Sequence, residues 1–142
     1  MADVHDSETR SYNMSRIKGT DTKPEMIVRK YLHANGLRYS LHNKKLTGKP
    51  DLTLAKYSTI IFVNGCFWHG HKGCKYFVMP KTRTEWWKEK IDQNIKRDRK
   101  SLIELEKNGW NSLVIWECQL SPKERISTLE YILKTIIKEA KI

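Results

Sequence analysis

Between Thr82 and Lys107 the chain carries its longest helical pattern, opened by the capping-box spacing of Thr82 and Glu85 and stopped by Asn108-Gly109. At about 100° per residue, Trp87, Ile91, Ile95, Leu102 and Leu105 share one arc of roughly 80°, so this helix must lay an apolar stripe on a core. Asp98 falls inside the same arc. A carboxylate buried there without a partner costs several kcal/mol, so a donor or a cation has to meet it. A histidine is one solution, and His69 is the natural candidate: Asp98 then orients the ring and leaves its other nitrogen facing a reacting group. A structural salt bridge to a lysine or arginine is the other.

The remaining segments supply what this helix packs against. Thr22 and Glu25 have capping-box spacing and Pro24 suits a first turn, so a helix is expected at about 24 to 35, ending at Asn35-Gly36. Asp51 to Ala55 and Thr59 to Val63 are rich in Leu, Ile, Thr and Val around Lys-Tyr-Ser and read as a β-hairpin. Residues 113 to 116, Leu-Val-Ile-Trp, read as a short buried strand. Ser121-Pro122 opens a last helix by capping box, with Ile126, Leu129, Leu133, Ile136 and Ala140 as its apolar stripe. Helix, hairpin, helix, strand, helix is an α/β order in which helices cover a small mixed sheet. At 142 residues one core suffices, so residues 1–20 are expected to form a polar arm ahead of a single domain at 21–142.

Lys and Arg number 27 against 16 Asp and Glu, a formal charge of +11, which points first to a polyanion such as nucleic acid; solubility alone is the plainer explanation. No apolar run approaches the roughly 18 residues of a membrane span. Three cysteines cannot all pair with one another, and no signal peptide is apparent, so a reducing cytoplasm is expected. On the long helix Lys88, Lys90, Lys96, Arg97, Arg99 and Lys100 make either a solvated face or, with Phe67, Trp68, Trp86 and Trp87, a DNA surface with cations for phosphates and apolar wedges for a base step. Core packing is the expectation for Trp86.

Two constellations bear on metals. Cys66, His71, Cys74 and the remote Cys118 are four N/S donors that suit tetrahedral zinc, a closed set that holds a loop and leaves no position for activating water; buried core cysteines are the alternative. Asp51, in Gly48-Lys-Pro-Asp51 at the start of a strand, can bind Mg²⁺ or can simply be a turn residue.

Taken together, MADVHDSETRSYNMSRIKGTDTKPE, GKPD, FVNGCFWHGHKGC, PKTRTEWW, NIKRDR and VIWEC resemble the very short patch repair endonucleases, which nick DNA beside a thymine mispaired with guanine. The likeness runs in order over nearly the whole chain. It implies a restriction-endonuclease-like α/β fold, a Mg²⁺-dependent nick 5′ to the mismatched thymine, and a structural zinc. Residue by residue, it implies Asp51 and the backbone carbonyl of Val63 as Mg²⁺ ligands, Glu25 as an acid near that centre, and His69 with Asp98 as the proton-transfer pair. Cys66, His71, Cys74 and Cys118 match the zinc ligands. Phe67, Trp68 and Trp87 match aromatics that wedge into the duplex beside the mismatch, Met14 lies on an arm along the minor groove, and Lys90 and Asn94 are further DNA contacts.

The chain departs from the family at Asn64, where relatives often carry a second active-site histidine, and at one additional residue around Gly73. Phe62-Val63-Asn64 offers neither the acid nor the lysine usual on the second strand of such folds, which argues against a lysine-activated water. The partner implied is duplex DNA with a T:G mismatch, bound by a monomer, since one mismatch has no two-fold symmetry; repair proteins follow the nick. The rivals are a nickase or restriction-type nuclease without mismatch preference and a non-catalytic zinc-stabilised DNA-binding module.

Overall fold

The computed structural model describes residues 22–140, so the expected N-terminal arm with Met14 lies outside the described residues. Four strands form one mixed sheet in the order β1 (Ser40–Leu41), β2 (Leu52–Leu54), β3 (Thr59–Asn64) and β4 (Asn111–Trp116). The expected hairpin is present as antiparallel β2 and β3, joined by a short 3-10 turn at Ala55–Tyr57. β4 pairs with β3 in parallel. Parallel neighbours need a long crossover, and the long helix α2 (Thr84–Lys107) supplies it. Helices α1 (Lys23–Ala34) and α3 (Arg125–Ala140) complete the α/β arrangement. β1 was not foreseen, because two exposed residues carry no periodicity to read.

Strand alternation divides the two faces. Leu52, Leu54, Ile61, Leu113 and Ile115 join Val28 and Leu32 of α1 and Leu129, Ile132 and Ile136 of α3 in the principal core. Burying each such side chain contributes about 1.5–3 kcal/mol. Phe62, Asn64 and Val114 face the other way and, with Asp98, Ser101 and Leu102 of α2, line a narrow crevice. The sheet is thus flanked by helices, as expected.

Three details of the helices differ from the sequence reading. Thr22 Oγ1 accepts from the Glu25 N–H at 3.4 Å, but the Glu25 carboxylate turns to Arg29 and His42, so only half of that box forms in this role. α2 is capped by Arg83 in a left-handed conformation (φ 54) without a side-chain cap; the helix starts at Thr84, which puts Thr82 and Glu85 out of phase for a box. Its Thr84 hydroxyl instead donates to the carbonyls of Pro80 and Lys81. In α3 the residues from Ser121 to Glu124 form a turn ahead of the helix, in which the Arg125 N–H meets the Ser121 carbonyl at 2.8 Å. The stripe accordingly includes fully buried Ile132, whereas Ile126, in the first turn, is 71 % exposed.

Candidate active site and metal centre

The Gly48-Lys49 turn, with both residues at positive φ, delivers Pro50 and Asp51 to the start of β2. Gly48 is required there: a Cβ would come within 2.8 Å of Ser101 Cβ on α2. Asp51 Oδ2 then accepts the Val63 N–H at 2.7 Å. In an antiparallel ladder the N–H and C=O of one residue point to the same neighbour, so the Val63 carbonyl lies on the Asp51 edge as well. Continuing the register that pairs Leu52 with Ile61 puts Pro50 opposite Val63, and proline has no N–H to offer that carbonyl.

Glu25 and His42 gather around Asp51, with one ligand atom from each of the three within 4.8 Å of the others. Glu25 is 1 % exposed, and its Oε2 meets His42 Nε2 at 2.8 Å and Arg29 Nη1 at 3.3 Å. Burial pushes the Asp51 carboxyl up to about 6; the Val63 N–H opposes the rise and the Glu25 carboxylate adds to it. Two carboxylates held together out of water are an arrangement that a divalent cation stabilises, and an oxygen-rich set suits Mg²⁺.

On the crevice side, His69 Nδ1 and Asp98 Oδ2 are 2.6 Å apart, each side chain about one third exposed. The carboxylate on the apolar arc of α2 thus meets a histidine, and the ring keeps Nε2 for other contacts. This approach depends on Gly70, whose φ is +63; a Cβ there would come within 2.6 Å of Ile95 Cδ1 and 2.8 Å of Ile91 Cγ2. Asn64, buried at the end of β3, lines the crevice together with Asp98.

Parallel pairing explains the Cys/His cluster. Asn64 lies opposite Trp116, so Cys66 and Cys118 each sit two residues beyond the same register point. His71 and Cys74 complete a set whose ligand atoms all lie within 4.8 Å of one another. The Cys118 Sγ to His71 Nδ1 distance is 3.5 Å, close to the about 3.6 Å edge that follows from tetrahedral Zn–S and Zn–N bonds. The imidazole is held by stacking on Trp116, with centroids 4.2 Å apart and planes 6° off parallel. The Cys66 N–H donates to Glu117 Oε1, which fixes the start of the loop. Burial pushes the Cys66 thiol up to about 12 and raises Cys118 as well. Neighbouring thiols that resist ionisation become thiolates when a soft divalent cation takes their protons' place, so the donor set fits zinc.

Phe67, Trp68 and Trp87 form one partly exposed aromatic block, with ring centroids 5.3 to 5.6 Å apart. Trp86 is 46 % exposed under the Arg83 guanidinium rather than in the core, because it lies off the apolar arc of α2. Lys90 is exposed on the same helix, one turn beyond Trp87. Asn94 is buried, its amide donates to the Trp68 carbonyl at 2.9 Å and its oxygen accepts from Arg97, so it braces the aromatic loop. Sequence reasoning missed His42. A single histidine after a strand of two residues gives no local signal; only the β1–β2 pairing, with the His42 N–H on the Asp51 carbonyl, brings it in.

A family model described as DNA mismatch endonuclease Vsr matches residues 2–75. The chain is 44 % identical over 133 residues to the type II nicking enzyme V.NmeAIP of Neisseria meningitidis, covering 91 % of this chain and 94 % of that protein. It is 43 % identical over 127 residues to the DNA mismatch endonuclease Vsr of Escherichia coli, covering 89 % and 81 %, and 39 % identical over 137 residues to the type II nicking enzyme V.XorIIP of Xanthomonas oryzae, covering 96 % and 98 %. With a carboxylate centre, a His-Asp pair and an aromatic block hung from one strand end, and with these likenesses along most of its length, the chain belongs to the DNA mismatch endonuclease Vsr family and is a DNA endonuclease.

Proposed function

We propose that this protein nicks one strand of duplex DNA 5′ to the thymine of a T:G mismatch, in a Mg²⁺-dependent hydrolysis, with zinc in the Cys66, His71, Cys74 and Cys118 cluster. The observation that carries the reading is the end of β3: Val63 reaches the centre formed by half-buried Asp51 and buried Glu25, and the following loop sets His69 against Asp98. Asp51 and the Val63 carbonyl would hold Mg²⁺, with Glu25 adding negative charge beside them. When bound, the cation polarises the scissile phosphate and steadies the leaving 3′-oxygen. Asp98 fixes the His69 ring through Nδ1, so Nε2 is the atom that moves a proton. Asn64 lines the same crevice and offers an amide, not a second acid–base group.

Recognition uses the aromatic block. A wobble pair stacks less well than a matched one, so inserting Phe67, Trp68 and Trp87 costs less there. Lys90 neutralises a phosphate alongside, and Met14 is a further DNA contact. One asymmetric mismatch calls for a monomer, which then hands the nick to repair proteins in the cytoplasm.

The test is strand-mapped nicking of T:G and fully paired duplexes with Mg²⁺. Nicking only of the mismatched duplex, 5′ to thymine, is expected. Equal rates on both leave a nickase without mismatch preference. No nicking with any divalent metal leaves a zinc-stabilised DNA-binding module, and undiminished nicking by Asp51→Ala overturns the assignment of Asp51 to the active site.

A further inference from the structure

His42 stands against the metal centre without a part in the reaction as described above. Its Nε2 is 2.8 Å from Glu25 Oε2, and one ligand atom each from His42, Glu25 and Asp51 falls within 4.8 Å of the others. The side chain is 22 % exposed, whereas Glu25 is 1 % exposed, so the imidazole forms the solvent-side wall of a carboxylate pocket. Its placement is imposed by the backbone. His42 takes φ +47, in the left-handed region where histidine is enriched, and its N–H is fixed on the Asp51 carbonyl at 3.1 Å.

We propose that His42 is a ligand of the catalytic cation through Nε2, giving the Asp51 centre a nitrogen donor alongside its carboxylates; the inference rests on the Asp51 metal centre proposed above. The spacing fits. Two neighbouring ligands of an octahedral ion at about 2.1 Å lie about 3.0 Å apart, so an ion can replace the hydrogen-bonding proton between His42 and Glu25 with little movement of either. The chemical consequence is a change of preference. Imidazole is a poor ligand for Mg²⁺, which prefers oxygen, and a better one for first-row transition ions such as Mn²⁺. The chain should therefore bind Mn²⁺ more tightly than Mg²⁺, by a margin that His42 sets.

Pulsed electron paramagnetic resonance of the full, zinc-containing chain loaded with Mn²⁺ reads this directly, because a ligating nitrogen modulates the Mn²⁺ echo. Wild type should show nitrogen modulation from a bound Mn²⁺ whose binding is lost in Asp51→Ala. His42→Gln should keep the bound ion but lose the modulation, and its Mn²⁺ affinity should fall at least about tenfold, with Mg²⁺ affinity changing less. Mn²⁺ bound in an Asp51-dependent way without nitrogen modulation, or with modulation that survives in His42→Gln, overturns the His42 assignment and leaves the metal centre standing. Absence of Asp51-dependent binding overturns both.

Discussion

Replacing Asp51 by Asn should stabilise the protein in Mg²⁺-free buffer, by an amount that grows as pH rises from 3.8 to about 6 and is constant above that. Burial raises the folded-state carboxyl from its ordinary 3.8 to about 6, with Glu25 contributing. A carboxyl raised on folding favours the protonated form, so its contribution to stability is fully present below 3.8 and is lost as pH rises through about 6. The gap between these two values corresponds to roughly 3 kcal/mol at neutral pH. Asn has nearly the same shape and its oxygen can still accept the Val63 N–H, so the substitution removes the ionisation and little else. Urea denaturation at pH 8 without Mg²⁺ should show Asp51→Asn more stable by up to about 3 kcal/mol, with the difference shrinking to about 1 kcal/mol at pH 4.5. Chelators that strip the Cys/His cluster must be avoided. Added Mg²⁺ should then stabilise wild type, by about 2.7 kcal/mol at a hundred times its Kd, and leave Asp51→Asn unmoved. A variant less stable than wild type at pH 8, or a difference that does not change between pH 4.5 and 8, refutes the reasoning.

Asp98→Asn should lower the single-turnover nicking rate by about 10²-fold or more while changing stability by less than about 1 kcal/mol, because the pair with His69 is partly exposed; a rate near wild type removes Asp98 as the residue that positions His69. Gly70→Ala should cost about 2–4 kcal/mol in denaturation, from a left-handed alanine and its clash with Ile91 and Ile95. Metal analysis should find one zinc per chain, and Cys118→Ser should lower that content and the melting temperature together; full occupancy in the variant contradicts the four-ligand site.

The parts of this fold that were legible in the sequence are those written in repetitive patterns. The period of α2 located its buried face and, through Asp98, required a partner that the structure provides in His69. The hairpin and β4 were readable because runs of branched residues are bounded by turn residues. Helix starts were less legible. Capping-box spacing at Thr82 and Ser121 matched the pattern, yet the helices begin at Thr84 and Arg125, because the preceding turns find other partners for their backbone groups. The bond from the Asn94 amide to the Trp68 carbonyl was not legible, because it depends on the path of the folded loop. His42 depended wholly on the pairing of a strand of two residues.

The register of β3 with its two neighbours accounts for why so much chemistry falls within nine residues. Antiparallel pairing with β2 turns the odd residues of β3 to that side, and this presents the Val63 N–H to Asp51. Parallel pairing with β4 turns the even ones, brings Asn64 level with Trp116, and so sets Cys66 beside Cys118. The residues between Cys66 and His71 then have no freedom of path, since the His71 N–H is bonded back to the Cys66 carbonyl at 2.8 Å and Gly70 lies flat on α2. In that tethered stretch His69 is directed at Asp98 while Phe67 and Trp68 are turned onto Trp87. Loss of the Cys/His tether therefore acts first on the proton-transfer pair and the aromatic block. The Asp51 centre, held by β2, β3 and α1, has its own supports and should outlast it.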